Sequence, residues 1–159
     1  MPVIIPGALP ARKTLEKENI FVMTEGRARS QEIRPLSIGL LNLMPNKEET
    51  ELELLRLISN TPLQVEITLL QTATYRATHT AEAHLREFYL TFEEAVRLGK
   101  KFDGIIVTGA PVEQMEFEEV KYWDEMTHIM DWAEHNVFST MYICWGAIAA
   151  MHYFYGVRK

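Results

Sequence analysis

The only cysteine of the chain lies where a predicted strand turns into a predicted helix. Residues 138–143 are typical of a buried strand, and the Ala-rich stretch after Cys144 favours a helix. A thiol at the carboxyl end of a strand is exposed, and the N-terminus of the next helix favours its thiolate. In α/β enzymes this is the position of a nucleophile. The other interpretation is that Cys144 is a small buried apolar residue, as most free cysteines are.

The elements that must position this cysteine alternate between strand and helix patterns. Apolar runs at 36–44 and 102–109 predict buried strands, alternation at 64–70 predicts another, and residues 138–143 predict the last. Helices are predicted between them. Strands joined by helices predict an α/β fold, an open parallel sheet with helices on both faces.

The predicted helices have clear start signals or apolar stripes. Residues 47–59 form a helix in this interpretation, with Asn46 as N-cap, Glu49 completing a capping box, and Glu51 facing solvent. A second helix is predicted from residue 84 and can run on to 99, and a third over 117–134. Residues 1–35 have weak periodicity and are interpreted as an N-terminal arm, leaving residues 36–159 for the α/β domain.

Ligands bind at the carboxyl ends of the strands in such a sheet. Three loops meet there, at 42–47, 109–113 and 144–147. The backbone N–H of Trp145, with one from the turn at Gly109 and Ala110, could form an oxyanion hole beside the thiolate. That arrangement suits acyl transfer through a thioester. The sequence has no metal-ligand cluster and no phosphate-binding glycine motif, so no metal or cofactor is expected.

A base for the thiol is harder to find. His152 follows Cys144 by eight residues, about 12 Å along a helix, beyond hydrogen-bond reach. His128 and His135 lie toward the opposite edge of the sheet, and His79 and His84 could approach only if the Thr-rich loop at 71–80 folds over the site. A solvated or core role is the simpler interpretation for all of them.

Two charged residues in these loops have alternative interpretations. Lys47 is either a solvated first-turn lysine or a group that binds an anion or acyl donor, because the helix dipole mildly disfavours a cation there. Glu113 is either an exposed loop carboxylate or a charge that repels a substrate ending in a second carboxylate. Spacing alone favours the solvated interpretation of both.

Composition excludes several classes of protein. The 159 residues carry a net charge of −6 without a dense basic run, so nucleic acid is not an expected partner. One cysteine excludes an internal disulfide and fits a reducing compartment. No segment resembles a signal peptide or a membrane span, so a cytoplasmic globular protein is expected.

Three motifs together resemble the homoserine O-acyltransferases of methionine biosynthesis, the homoserine O-succinyltransferase family. They are Asn42-Leu43-Met44-Pro45-x-Lys47, Thr108-Gly109-Ala110-Pro111-Val112-Glu113 and Tyr142-Ile143-Cys144-Trp145-Gly146. The resemblance extends over essentially the whole chain, from Pro10-Ala11-Arg12 onward. It implies a flavodoxin-like sheet similar to that of the class I glutamine amidotransferases.

The resemblance implies a role for each site residue. Cys144 takes an acyl group from acyl-CoA as a thioester and passes it to the hydroxyl of L-homoserine, with Trp145 at the oxyanion position. Lys47 matches a lysine near the active site. An acidic residue at the position of Glu113 accompanies acetyl-CoA, and glycine accompanies succinyl-CoA, so acetyl transfer is expected.

Family members are much longer, and their catalytic His and Glu lie beyond the end of this sequence. We therefore expect an apparently truncated N-terminal part of such an enzyme, with an apolar edge or helix face left uncovered. One alternative is a catalytically incompetent fragment that keeps only binding or homodimerisation. Another is a glutaminase or stress-response cysteine hydrolase of the same fold, although Tyr142 replaces the first glycine of the amidotransferase G-x-C-x-G elbow.

Overall fold

The computed structural model describes residues 3–29, 34–75, 77 and 79–159. Their strands are β1 (Val3–Ile5), β2 (Val22–Thr24), β3 (Leu36–Leu41), β4 (Val65–Gln71), β5 (Tyr89–Thr91), β6 (Gly104–Val107) and β7 (Ser139–Tyr142). Their α-helices are α1 (Pro10–Lys17), α2 (Glu25–Ala28), α3 (Lys47–Ile58), α4 (Glu82–Phe88), α5 (Phe92–Arg97), α6 (Trp123–Asn136) and α7 (Trp145–Tyr155).

The strands form one parallel sheet in the order β2-β1-β4-β3-β6-β7, and β5 pairs with the carboxyl half of β4. Successive residues of a strand point to opposite faces, so Leu40 and Leu41 of β3 enter different cores. Leu41 packs in the core that includes residues of α5, α6 and α7, and Leu40 packs in the core that includes residues of α1 and α3. The predicted fold class, an open parallel sheet with helices on both faces, is confirmed.

The N-terminal stretch contributes to the sheet. Val3 of β1 pairs with Val65 of β4 on one side and with Val22 of β2 on the other. Val3 and Leu15 of α1 are fully buried. Residues 3–24 therefore form one edge of the same sheet that carries the predicted site at its other side.

Two predicted helices are wrong in their extent. The stretch at 84–99 is interrupted by β5, because residues 89–91 pair with β4. Thr91 is also the N-cap of a new helix, α5, and forms a capping box with Glu94. The stretch at 117–134 begins as a 3₁₀ turn, Phe117–Glu119, and Val120 is extended, so α6 starts only at Trp123.

The opposite edge of the sheet carries an uncovered apolar surface, as predicted. Phe138, directly before β7, is 97% exposed, Met141 of β7 is 59% exposed, and Tyr155 at the end of α7 is 81% exposed. A groove of about 510 Å³ runs between β7 and α7 and is lined by Tyr142, Ala147 and neighbouring residues. Although α7 is strongly apolar, none of the helices in the described ranges has the length and apolarity needed to cross a membrane.

Candidate active site

Cys144 occupies a strained turn between β7 and α7. It is the N-cap of α7, its backbone angles are φ 52° and ψ −121°, and its side chain is exposed. A positive φ is costly for a residue with a Cβ, about 1–3 kcal/mol, and persists only where the surroundings enforce it. A sharp strand-to-helix turn that exposes a nucleophile is the geometry of a nucleophile elbow.

Two glycines allow the chain to pack tightly around this turn. A Cβ on Gly109 would lie 3.0 Å from the Cβ of Cys144 and 3.4 Å from its Sγ. A Cβ on Gly146 would lie 2.9 Å from the backbone oxygen of Thr108. A side chain at Gly146 would force the backbone to shift, and one at Gly109 would press on Cys144, so both glycines favour the close approach of the two loops.

The three loops predicted at this edge of the sheet are adjacent. The N–H of Leu43 donates to the Thr108 hydroxyl at 2.8 Å, which joins the loop after β3 to the loop after β6. The N–H of Ile143 donates to the carbonyl of Val107 at 2.9 Å, and Gly109 touches Cys144, which joins the loop after β6 to the elbow.

One predicted oxyanion donor, Trp145, directly follows Cys144 in the chain, and the other, Ala110, lies in the loop that packs against it. Trp145 is the first residue of α7, where backbone N–H groups have no acceptor within the helix. Its indole is fully buried and lies edge-on to Tyr122 at 6.0 Å between ring centroids, which fixes the start of the helix. Ala110 is buried and follows Gly109, the residue in contact with Cys144. Donation from these groups to a substrate stays a prediction.

The interpretation of Lys47 as a solvated lysine is wrong. Lys47 is 2% exposed, its ammonium donates to the carbonyl of Asn42, and its backbone N–H donates to the Thr80 hydroxyl at 2.9 Å. Burial lowers the pKa of Lys47 to about 8, and the nearby Glu51 carboxylate opposes that shift. The side chain is thus held inside the loop that leads from β3 into α3.

A buried polar cluster beside Lys47 was not expected from the sequence. Glu51, predicted to face solvent, is 1% exposed. His84 Nε2 lies 2.9 and 3.1 Å from its two carboxylate oxygens, and the Tyr89 hydroxyl donates to Oε1 at 2.6 Å. Burial raises the pKa of Glu51. The spacing of Lys47, Glu51 and Leu55, each four residues apart, is the one signal that places Glu51 on an inward-facing row.

Three of the histidines make contacts with residues other than Cys144. His84 bonds Glu51, and His135 Nδ1 lies 2.8 Å from the carbonyl of Asp131. His152 stacks on Phe117 with ring centroids 4.3 Å apart, and its Nδ1 lies 3.0 Å from the carbonyl of Val157. No cluster of three or more His, Cys, Asp or Glu side chains that could hold a metal is found among the residues described.

Glu113 lies three residues beyond Ala110 in the loop after β6 and is exposed. It stands in the chain beside the predicted oxyanion turn without belonging to the core. The structure thus leaves its carboxylate available to solvent or to a ligand.

Comparison with known proteins decides the family. A family model described as "HTS: Homoserine O-succinyltransferase" matches residues 2–159. The chain belongs to the homoserine O-succinyltransferase family. Relatives named homoserine O-acetyltransferase include proteins of Acetivibrio thermocellus and Thermotoga petrophila, each 59% identical over 159 residues, and one of Geobacillus kaustophilus, 57% identical. Each match covers the whole of this chain and 52% of the relative, so the chain spans about half the length of these family members.

The lowered pKa of Lys47 predicts a specific dependence of stability on pH. The ordinary lysine pKa is 10.5, and the folded value is about 8. Between these values the unfolded chain binds more protons, so the contribution of Lys47 to the free energy of unfolding rises with pH, by up to about 1.4 kcal/mol per pH unit. The penalty for burying the cation is complete below about pH 8 and is relieved above it.

Urea unfolding at about pH 7 and about pH 9.5 checks this expectation. In Lys47→Met the titrating group is gone, so the increase in the free energy of unfolding between the two pH values should be smaller by about 2 kcal/mol. The exposed Lys101→Met serves as control and should follow the unsubstituted protein. Parallel pH profiles for Lys47→Met and the unsubstituted protein would contradict the assignment.

Proposed function

We propose that this chain carries the nucleophile of a homoserine O-acyltransferase. The observation that supports this most is the strained, exposed position of Cys144 at the N-terminus of α7, in contact with Gly109. In this proposal the thiolate attacks the thioester carbonyl of acyl-CoA and the CoA thiolate leaves. The hydroxyl of L-homoserine then attacks the Cys144 thioester, giving O-acyl homoserine, an intermediate for methionine biosynthesis, and the free thiol.

The loops around Cys144 supply the groups for this chemistry. Each attack places negative charge on the carbonyl oxygen, and the N–H groups of Trp145 and Ala110 are proposed to stabilise it by donating hydrogen bonds to that oxygen. No metal or cofactor enters the proposal, and acyl-CoA is a co-substrate. The proton of the homoserine hydroxyl needs a base, which the family resemblance assigns to residues outside this sequence.

The experiment that tests the proposal is incubation of the protein with acetyl-CoA, followed by mass spectrometry of the peptide that contains Cys144. We expect one acetyl group on that peptide and release of one equivalent of CoA, because the first attack requires only the thiolate and the oxyanion donors. An unmodified Cys144 after prolonged incubation would refute the proposal.

The acyl group is proposed to be acetyl. The relatives cited are named homoserine O-acetyltransferase, whereas the family model is named for succinyl transfer. Glu113 is exposed beside the proposed oxyanion turn, and a negative charge there disfavours a donor with a second carboxylate.

Glu113→Gly should raise the rate of Cys144 acylation by succinyl-CoA relative to acetyl-CoA about tenfold, since it removes a like-charge repulsion. The competition is measured with both donors in one incubation and the two adducts quantified by mass. Gln114→Gly removes a neighbouring exposed side chain without a charge and should leave the ratio unchanged. An unchanged ratio in Glu113→Gly would remove Glu113 from donor selection.

A second candidate is a chain that only binds or dimerises. The exposed apolar surface at Phe138, Met141 and Tyr155 favours this candidate, because such a surface associates with other polypeptide. Sedimentation of the 159-residue chain distinguishes the two, since a dimer that forms no Cys144 adduct supports the second candidate.

A further inference from the structure

The buried cluster of Glu51, His84 and Tyr89 joins α3 to two consecutive elements, α4 and β5, which follow more than thirty residues after Glu51. Glu51 belongs to α3, His84 to α4 and Tyr89 to β5, and their exposures are 1%, 7% and 5%. Both carboxylate oxygens of Glu51 lie within 3.1 Å of His84 Nε2, and one of them also accepts from the Tyr89 hydroxyl. The carboxylate is thereby held in one orientation.

The cluster reaches the loop after β3 through Asn42. Asn42 Nδ2 donates to the Tyr89 hydroxyl at 3.1 Å and to the carbonyl of Lys47 at 3.2 Å, and its Oδ1 accepts from the N–H of Met44 at 3.1 Å. The Lys47 ammonium donates back to the Asn42 carbonyl and lies 5.5 Å from the centroid of the Tyr89 ring. Both ends of loop 42–47 are therefore tied to Tyr89.

The same loop is tied to the elbow. Leu43 donates to the hydroxyl of Thr108, and that hydroxyl donates to the carbonyl of Gly109 at 3.0 Å. Gly109 packs against Cys144. An unbroken set of contacts thus runs from Tyr89 through Asn42, loop 42–47 and Thr108 to the turn that faces the thiol.

Stability alone does not explain such a cluster. Burying a carboxylate and an ammonium carries a desolvation penalty that their mutual attraction often does not repay, and apolar side chains of similar volume often stabilise as well or better. A fully bonded polar cluster instead gives its neighbours a single arrangement. Because the cluster lies beside loop 42–47, the arrangement that it holds is the conformation of this loop.

We propose that Glu51, His84 and Tyr89 are positioning residues that hold loop 42–47, and through Thr108 the Gly109–Ala110 turn, in the geometry needed for acyl transfer at Cys144. This inference rests on the proposed function of Cys144. Tyr89 is the residue through which the cluster contacts Asn42, so Tyr89→Phe, which removes one oxygen and keeps the ring, separates the cluster from the loop.

The kinetic test compares Tyr89→Phe with the unsubstituted protein. The maximal first-order rate of Cys144 acetylation by acetyl-CoA should fall about tenfold, because the N–H donors of the Gly109–Ala110 turn move away from the reacting carbonyl oxygen. The half-saturating acetyl-CoA concentration should change less than about twofold, because the surface that binds acetyl-CoA stays in place. Alkylation of Cys144 by iodoacetamide, which needs no oxyanion donor, should be unchanged. Tyr153→Phe is the matched control, since the hydroxyl of this exposed α7 residue donates to Asp131 of α6.

A second readout does not depend on acylation. The backbone amide resonances of Leu43, Gly109 and Ala110 should shift in Tyr89→Phe and stay in place in Tyr153→Phe. Unchanged amide resonances at 109–110 overturn the inference, as does an unchanged acetylation rate in a Tyr89→Phe protein that has merely lost stability. If the unsubstituted protein forms no adduct but Tyr89→Phe still shifts these amide resonances, the proposed function is refuted and the positioning of the turn is supported.

Discussion

Replacing Cys144 with serine should reduce covalent acetylation by acetyl-CoA at least about 10³-fold, because an alcohol is far less ionised than a thiol and no base contacts this position in the described structure. Serine is close to cysteine in size and is under the same backbone constraint at φ 52°. The substitution therefore changes the nucleophile and leaves the elbow in place. Release of CoA, followed over time, gives the rate.

Two controls make this result specific to the thiol. Unfolding of Cys144→Ser in urea should differ from that of the unsubstituted protein by less than about 0.5 kcal/mol, as for other exposed positions. His152→Gln should acetylate at the normal rate, because His152 stacks on Phe117 and bonds the Val157 carbonyl. Acetylation that persists in Cys144→Ser would place the nucleophile elsewhere in the chain.

Replacing Glu51 with alanine should lower the free energy of unfolding by about 3 kcal/mol, which is the usual scale for removing one partner of a buried charged cluster. The loss leaves the Tyr89 hydroxyl and His84 without their acceptor and removes the carboxylate near Lys47. The cost stays near the lower end of that scale because Lys47, whose pKa is about 8, can release its proton instead of remaining an isolated buried cation.

The matched control is Glu53→Ala, an exposed glutamate on the same helix, for which the change should be within about 0.5 kcal/mol. Glu51→Gln, which keeps one acceptor for Tyr89, should lose less than Glu51→Ala. Urea unfolding at neutral pH measures all three. A loss below about 1 kcal/mol for Glu51→Ala would mean that water or a shifted side chain replaces the carboxylate.

The sequence predicts the central strands and the elbow well because both depend on local signals. The apolar runs that become β3 and β6 are typical of strands in a parallel sheet that is covered on both faces. Cys144 follows the strand predicted at 138–143 and precedes an Ala-rich helix, so its place at a strand-to-helix turn could be predicted from local sequence. The prediction that this strand is buried is wrong, because β7 is the edge strand of the sheet and Phe138 and Met141 are 97% and 59% exposed.

The parts that sequence reasoning missed depend on partners that are distant in the chain. Glu51 is buried because His84 and Tyr89, more than thirty residues later, satisfy its carboxylate. The three residues of β5 read as part of a helix, and only pairing with β4 makes them a strand. For Lys47 and Glu113, only the family resemblance suggests a part in the site, since spacing alone favours solvated side chains.

The parallel pairing of β1 with β4 has a consequence for synthesis of the chain. Val3 pairs with Val65, so the first strand has no sheet partner except β2 until β4 has been made. Two strands of three residues are too short to be stable by themselves. During translation, residues 3–24 therefore stay outside the sheet, with Val3 and Ile5 exposed to water. The N-terminal edge of the sheet forms only after its central strands have paired.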